Sequence, residues 1–597
     1  MKKAVFILFA CFLGLLMFLV SCVKDFGLDS TDSDGDDVEI SDEGSDDTVS
    51  DQEDDNAGDH DDDADYVWSE SDVVQVILNG SSISTSASGA SVNGSTITII
   101  AAGTYSFSGS LTNGRIIVNT DDEEIVRLIL NGVNITCSSS APIYGENSDK
   151  IMIVLADGTE NYITDGSSYT FDDSDEDEPN AAVFSKDDLT LYGEGSLTID
   201  ANYNDAIASK DGLILANGTI NINSVDDGIR GKDYLIIKKG NITIEAEGDG
   251  LKSDNDEDET KGYITITEGS FNITTGGDGI TAQTDVLISD GEFTLKTGNG
   301  SSANFNGTES MKGIKAAVGI VIDYAVANIN SADDAIHSNG SISINGGTYE
   351  ISTGDDGIHA DNVVGINGGD YNITKSYEGI ESAIIKINAG DIHIISSDDG
   401  LNVAGGNDNS GDRWGGGGYS SSSSSYYMLI NDGYIYVEAS GDGLDANGSV
   451  EMTGGTVIVN GPTSNNNGAL DYDGSFKITG GTLVAAGSSG MAQAPGSSSS
   501  QYSVMVNFSS TLSAGKLIHI ETSSGDDVIT FTPTKSYSSF VYSSPELAKG
   551  ASYNIYYGGN STGTLVDGIY SGGTYTSGTK YTSFSISGVV TTIGSYR

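Results

Sequence analysis

One pattern recurs along this chain and limits what it can fold into: an acid, then Gly or Ala, then Ile or Leu, a variable residue, and usually Ser or Ala. Its acids are Asp205, Asp227, Asp249, Asp278, Asp334, Asp356, Glu378, Asp399 and Asp442. Steps of 22 residues separate Asp205, Asp227 and Asp249, and again Asp334, Asp356 and Glu378, while a Lys312-Gly313-Ile314 version or a loop fills the longer gaps. Such a fixed period marks a stacked array. Within a unit, alternations such as Gly240-Asn241-Ile242-Thr243-Ile244 lie between Gly, Asn and Asp turns, which is the signature of short strands. Three strands at about 3.3 Å per residue plus three turns take up roughly 22 residues, one coil of a parallel β-helix, with coils stacked about 4.8 Å apart. Calcium-binding nonapeptide rolls and hexapeptide helices have other cadences, and propeller blades need about 40 to 45 residues per repeat.

The expected fold class is therefore all-β: parallel coils over 181–487, a β cap with the first coils over 67–180, and a C-terminal antiparallel β module over 488–597. A cap is expected because an open coil end exposes both core and edge amides. Lys2 and Lys3 precede an apolar run from Ala4 to Val20, as in an export signal. That run ends in Leu19-Val20-Ser21-Cys22, which resembles the bacterial lipobox; the resemblance implies acylation of Cys22, a lipid-anchored surface location, and 1–22 as leader. Over 23–66 large apolar side chains are nearly absent, so an extended acidic tether is expected there. Residues 29 to 65 hold 19 of the 87 acids and no Lys or Arg.

Acids outnumber bases 87 to 26, a formal charge of -61. This excludes nucleic acid and anionic membrane surfaces as partners, leaving the membrane to the lipid anchor alone. A monomer is expected. Two of the three cysteines, Cys11 and Cys22, lie in the leader, so no disulfide framework forms, and Cys137 reads as a small buried apolar side chain.

Stacking puts equivalent positions in registered columns. Ile207, Ile229, Leu251, Ile280, Ile314, Ile336, Ile358, Ile380, Leu401 and Leu444 point inward. The next residue along points outward and forms a polar ribbon, basic early (Arg230, Lys252, Lys315) and acidic late (Glu381, Asp445). Carboxylates about 5 Å apart repel one another, so the acid column needs compensation. Either each Asp accepts amides of the turn it heads, or some hold calcium, a hard cation wanting six to eight oxygens. Expected metal ligands are Asp249 with Asp254 and Asp256, and Asp398 and Asp399 with Asn402, Asn407 and Asp408. His337 and His359 stack one coil apart, as an exposed pair or a metal pair. Trp414, on the Gly-rich insertion from Gly405 to Gly418, either stacks on a sugar ring or covers the wall. Arg230, Lys252 and Lys315 complete the expected glycan contacts.

Gly400-Leu401-Asn402-Val403-Ala404-Gly405-Gly406-Asn407-Asp408, the repeated Asp-Asp-Gly-Ile, and Ser571-Gly572-Gly573-Thr574-Tyr575 in a closing segment resemble the clostridial carbohydrate-binding β-helix family over most of residues 70 to 595. The resemblance implies a right-handed, pectate-lyase-like helix that binds calcium and acidic plant polysaccharide such as polygalacturonate, without established catalysis. A strongly acidic body binds a polyuronate only if divalent ions bridge protein and sugar carboxylates. No catalytic residue is expected. Were the chain a calcium-dependent lyase, Lys252 would be the base, although carboxylates nearby keep a Lys protonated. A non-enzymatic adhesin is the remaining alternative.

Overall fold

The computed structural model describes residues 45–53, 56, 60–171, 177–303, 307–404 and 426–595. From Val74–Gly80 to Thr482–Gly487 nearly every strand pairs in parallel with the equivalent strand of the next coil, so that three strands recur in each coil. One coil comprises Asp205–Ser209, Gly212–Leu215 and Thr219–Ser224. The next places Ile229 beside Ile207, Leu235 beside Leu213 and Ile242 beside Ile220, partners 22 residues apart. This is the winding of a parallel β-helix, and the inward Ile/Leu column is buried throughout. Phe271 stacks on Phe293, and Tyr349 on Tyr371, with ring centroids 4.8 Å apart in each pair. That separation equals the coil rise, about 4.8 Å.

Glycine follows the acid because coils approach closely there. A Cβ on Gly250 would stand 2.5 Å from the Gly279 carbonyl oxygen of the next coil.

Parallel pairing starts earlier than the sequence suggests. Antiparallel partners in the cap region are confined to Ile83–Thr85 against Val74–Gly80, and Ala90–Asn93 against Thr96–Ile99. At the other end, Tyr537–Ser543 pairs antiparallel with the last coil strand, Thr482–Gly487, and with Ser503–Leu512. A separate six-stranded antiparallel sheet, from Ile518–Thr522 to Tyr575–Ser585, follows.

The described part of the acidic spacer is not a free tether. Residues 45–53 and 60–72 form a strap along the coil wall. Asp61, its side chain almost fully buried, accepts from Lys150 Nζ (2.9 Å), Thr190 Oγ1 (2.8 Å) and Tyr66 (2.8 Å). His60 reaches the Tyr263 hydroxyl at 2.7 Å. Val49 buries itself against Leu287 and Val321. Asn345 and Asn367 donate to the carbonyls of Asp47 and Ser45. Polar composition misleads here because the strap buries single side chains into fixed polar sites and builds no core of its own. Cys137 is buried and free.

Candidate metal centre

The acid column is a hydrogen-bonded ladder between coils. Asp227 Oδ1 accepts the Asp249 amide at 2.8 Å, Asp249 Oδ1 that of Asp278 at 2.8 Å, and Asp278 Oδ1 that of Lys312 at 2.7 Å. Asp334 serves Asp356, and Asp356 serves Glu378, each at 2.9 Å. Each carboxylate thus holds the amide of its counterpart one coil on, and not that of the turn it heads. One oxygen is consumed in the ladder; the other faces the ribbon.

The ribbon folds back onto the column. Lys252 Nζ sits 2.9 Å from both Asp227 and Asp249. Arg230 binds Asp254 at 2.7 Å, and Lys315 binds Asp278 at 3.3 Å. Lys312, which occupies an acid position in the repeat, lies 2.9 Å from Asp333 and 2.6 Å from Asp334. Burial works against the Lys252 ammonium, but Asp227 and Asp249 outweigh it and hold the group above its ordinary range. A long side chain can start outward and return, which strand alternation does not reveal.

His337 and His359 are buried, at 5% and 2% exposure, so the exposed-pair reading fails. Neighbouring coils cover them, and their rings lie 4.9 Å apart. His337 Nδ1 meets Asp334 at 2.8 Å, and its Nε2 meets Asn339 at 2.9 Å. His359 Nδ1 lies 3.3 Å from Asp356 and 3.6 Å from Glu381. Burial opposes the His359 imidazolium, yet Asp356, Asp334 and Glu381 push it up to about 9.

Beyond His359 compensation fails. Among the described residues no Lys or Arg pairs with Glu378, Glu381, Asp399, Asp442 or Asp445. Burial, then neighbouring carboxylates, push Asp399 up to about 8 and Asp445 to about 7, and burial takes Asp442 to about 6. Glu378 and Glu381 move in the same direction, by burial first and then through Asp356. Oxygens of Asp399, Asp442 and Asp445 lie within 4.8 Å of one another. Asn402 Nδ2 donates to Glu378 at 2.6 Å, and its buried Oδ1 accepts no hydrogen bond.

Of the expected ligands, Asp399 joins this cluster and Asn402 sits in the register column between Glu381 and Asp445. Asp398 is half-buried beside Asp399. Asp249, Asp254 and Asp256 are not brought together: Lys252 holds the first, Arg230 the second, and Asp256 is exposed. Asn407, Asp408, Trp414 and Cys22 lie outside the described residues. Sequence reasoning placed Asp442 and Asp445 in their columns but missed them as ligands; the signal was the absence of a ribbon cation on their coils.

Residues 93–357 match the model of a family described as carbohydrate-binding domain-containing protein. A curated protein of that description from Acetivibrio thermocellus is 40% identical over 136 residues, which is 23% of this chain and 48% of the relative. Over residues 93–357 the chain is similar to this carbohydrate-binding domain family. It spans about half the length of that curated relative. A solved structure, the polysaccharide lyase-like protein from C. thermocellum in a gadolinium derivative, is 35% identical, covers 38% of this chain and 91% of its own, and has a TM-score of 0.37. The family match stops at residue 357, so it takes in the cation-compensated coils, whereas the Asp399, Asp442 and Asp445 cluster lies beyond it.

Proposed function

We propose that this chain is an exported, Cys22-anchored surface protein that binds acidic polysaccharide, of the polygalacturonate class, through calcium held on its late coils. The family description supports carbohydrate as the ligand class. The observation that carries the acidic, calcium-bridged form is the cluster of Asp399, Asp442 and Asp445, whose oxygens lie within 4.8 Å of one another with no Lys or Arg paired to them among the described residues. A hard cation with six to eight oxygen ligands suits three carboxylates, and open coordination positions accept a uronate carboxylate. A protein at -61 needs such a bridge to approach a polyanion at all. We assign no catalytic group: Lys252, the foremost lyase candidate, is clamped as an ammonium by two carboxylates, which is the wrong state for a base.

The test is affinity electrophoresis of the chain through polygalacturonate gels with calcium or chelator, alongside an absorbance assay for unsaturated product. Retardation with calcium alone and no product is expected, and Asp445→Asn removes it. Product formation makes the protein a lyase. Migration unaffected by polygalacturonate in both gels overturns the proposal and favours a plain adhesin.

A further inference from the structure

The column changes chemistry at one place, where a histidine meets two carboxylates that have no lysine or arginine partner among the described residues. His359 Nδ1 lies 3.3 Å from Asp356 Oδ2 and 3.6 Å from Glu381 Oε2. A charge-assisted hydrogen bond between such groups is about 2.7–2.9 Å long, and the neighbouring His337–Asp334 contact meets this at 2.8 Å. The His359 distances are too long for it. They match instead the edge of a coordination tetrahedron, because two ligands about 2.1 Å from a zinc-like ion stand about 3.4 Å apart. One donor oxygen from each carboxylate and one ring nitrogen lie within 4.8 Å of one another. Asp356 spends its other oxygen on the Glu378 amide, at 2.9 Å, which fixes the direction of Oδ2.

Two buried polar atoms at this place are unsatisfied. Asn402 Oδ1 accepts no hydrogen bond although Asn402 is 6% exposed, whereas His359 Nε2, likewise unbonded, lies on the far side of the ring, 3.7 Å from Asp361, and leaves Nδ1 to face the two carboxylates. Asn402 pairs in register with Glu381 on the adjacent coil and donates to Glu378, so its free oxygen belongs to the same pocket of donors. Buried polar groups are normally paired, and an oxygen left without a partner beside this cluster calls for a ligand.

We propose that Asp356, His359 and Glu381, with Asn402 as a neighbouring oxygen donor, bind one divalent transition-metal ion of the zinc class. The mixed nitrogen and oxygen set separates it from the all-oxygen cluster of Asp399, Asp442 and Asp445: imidazole suits zinc and its neighbours, whereas calcium takes oxygen ligands. The rod then carries two cations of different kinds on neighbouring coils. The site stands independently of polysaccharide binding.

The probe is Co2+, titrated into the full chain after chelator treatment and dialysis and followed by visible absorption and by pulsed EPR for histidine nitrogen. One Co2+ per chain is expected, with a nitrogen ligand, displaced by equimolar Zn2+ and retained in excess Ca2+. His359→Gln and Glu381→Gln each weaken Co2+ binding tenfold or more; Asp445→Asn leaves it unchanged. Should His359→Gln fail to fold by circular dichroism, Glu381→Gln and the nitrogen coupling of the unaltered chain decide. Absence of bound Co2+, a Co2+ spectrum without nitrogen, stoichiometric displacement by Ca2+, or unchanged affinity in the folded variants overturns the proposal. Because the readout is metal on the free chain, failure of polysaccharide retention leaves this result standing.

Discussion

Lys252 and Asp205 show how single residues decide the behaviour of a crowded column. Lys252 bridges two coils through Asp227 and Asp249, each at 2.9 Å. Lys252→Met leaves both carboxylates facing each other. The pair is a quarter exposed on the lysine side, so solvent screening limits the loss to about 1–3 kcal/mol, read as a lower thermal unfolding temperature. A lysine serving only as a catalytic base would leave that temperature nearly unchanged. Asp205, 1% exposed, is pushed up to about 8 by burial and by Asp227. Its folded value lies above its unfolded one, near 3.9, so the folded chain holds a proton that the unfolded chain has lost. Stability from this group is full below pH 4 and falls as pH rises towards 8. Asp205→Asn removes the dependence while an amide oxygen can still accept from Asp227. Its unfolding temperature is expected to gain on that of the parent between pH 5 and 8, at up to about 1.4 kcal/mol per pH unit, and to keep a constant lead above pH 8.

At the scale of the coil, period and alternation were enough to place each inward side chain, because burial on a β-helix wall follows backbone direction alone. Ile207 and Leu401 illustrate it. They were also enough to see the ribbon turn from basic to acidic. What alternation does not encode is where a flexible side chain ends. Lys252 and Arg230 return to the column, and His359, outward by position, is covered by the next coil. The ladder was misassigned for a related reason: an Asp before Gly has the amide of its own turn and that of the next coil within reach, and only the stacked backbone selects between them. The late coils follow from the same reading, since a column without lysine or arginine must hold protons or, on our proposal, bind cations. Calcium is therefore expected to raise the unfolding temperature of the parent chain, by about 2.7 kcal/mol of stabilisation at 100 times the dissociation constant. In Asp399→Asn and Asp445→Asn this increment should be small. Thermal scans with calcium and with chelator measure it.

Across the whole molecule, charge is distributed so that one end of the column is paired with lysine and arginine, while the other has no such partner among the described residues and, on our proposal, takes ions from outside. The strap adds a second long-range feature, tying residues 45–53 and 60–72 to coils from 89 to 322 residues away in sequence. Its clearest steric mark is Gly365, where an added Cβ would collide with the Ser45 carbonyl oxygen. Gly365→Ala should lift the start of the strap from the wall while leaving the coils intact, seen as faster amide exchange and earlier proteolysis around residues 45–52 without loss of strand signal. The strap also decides how the rod bears a mechanical load. Tension arriving from the N-terminal side meets first Ser45, then Asp47, Val49, His60 and Asp61, each held by a few side-chain contacts that break one at a time. The coils, whose strands share ladders of parallel hydrogen bonds, are loaded only after these have gone. Peeling residues 45–72 would pay out about 100 Å of chain, so a sudden pull is spent on a peelable length of chain before it reaches the coils.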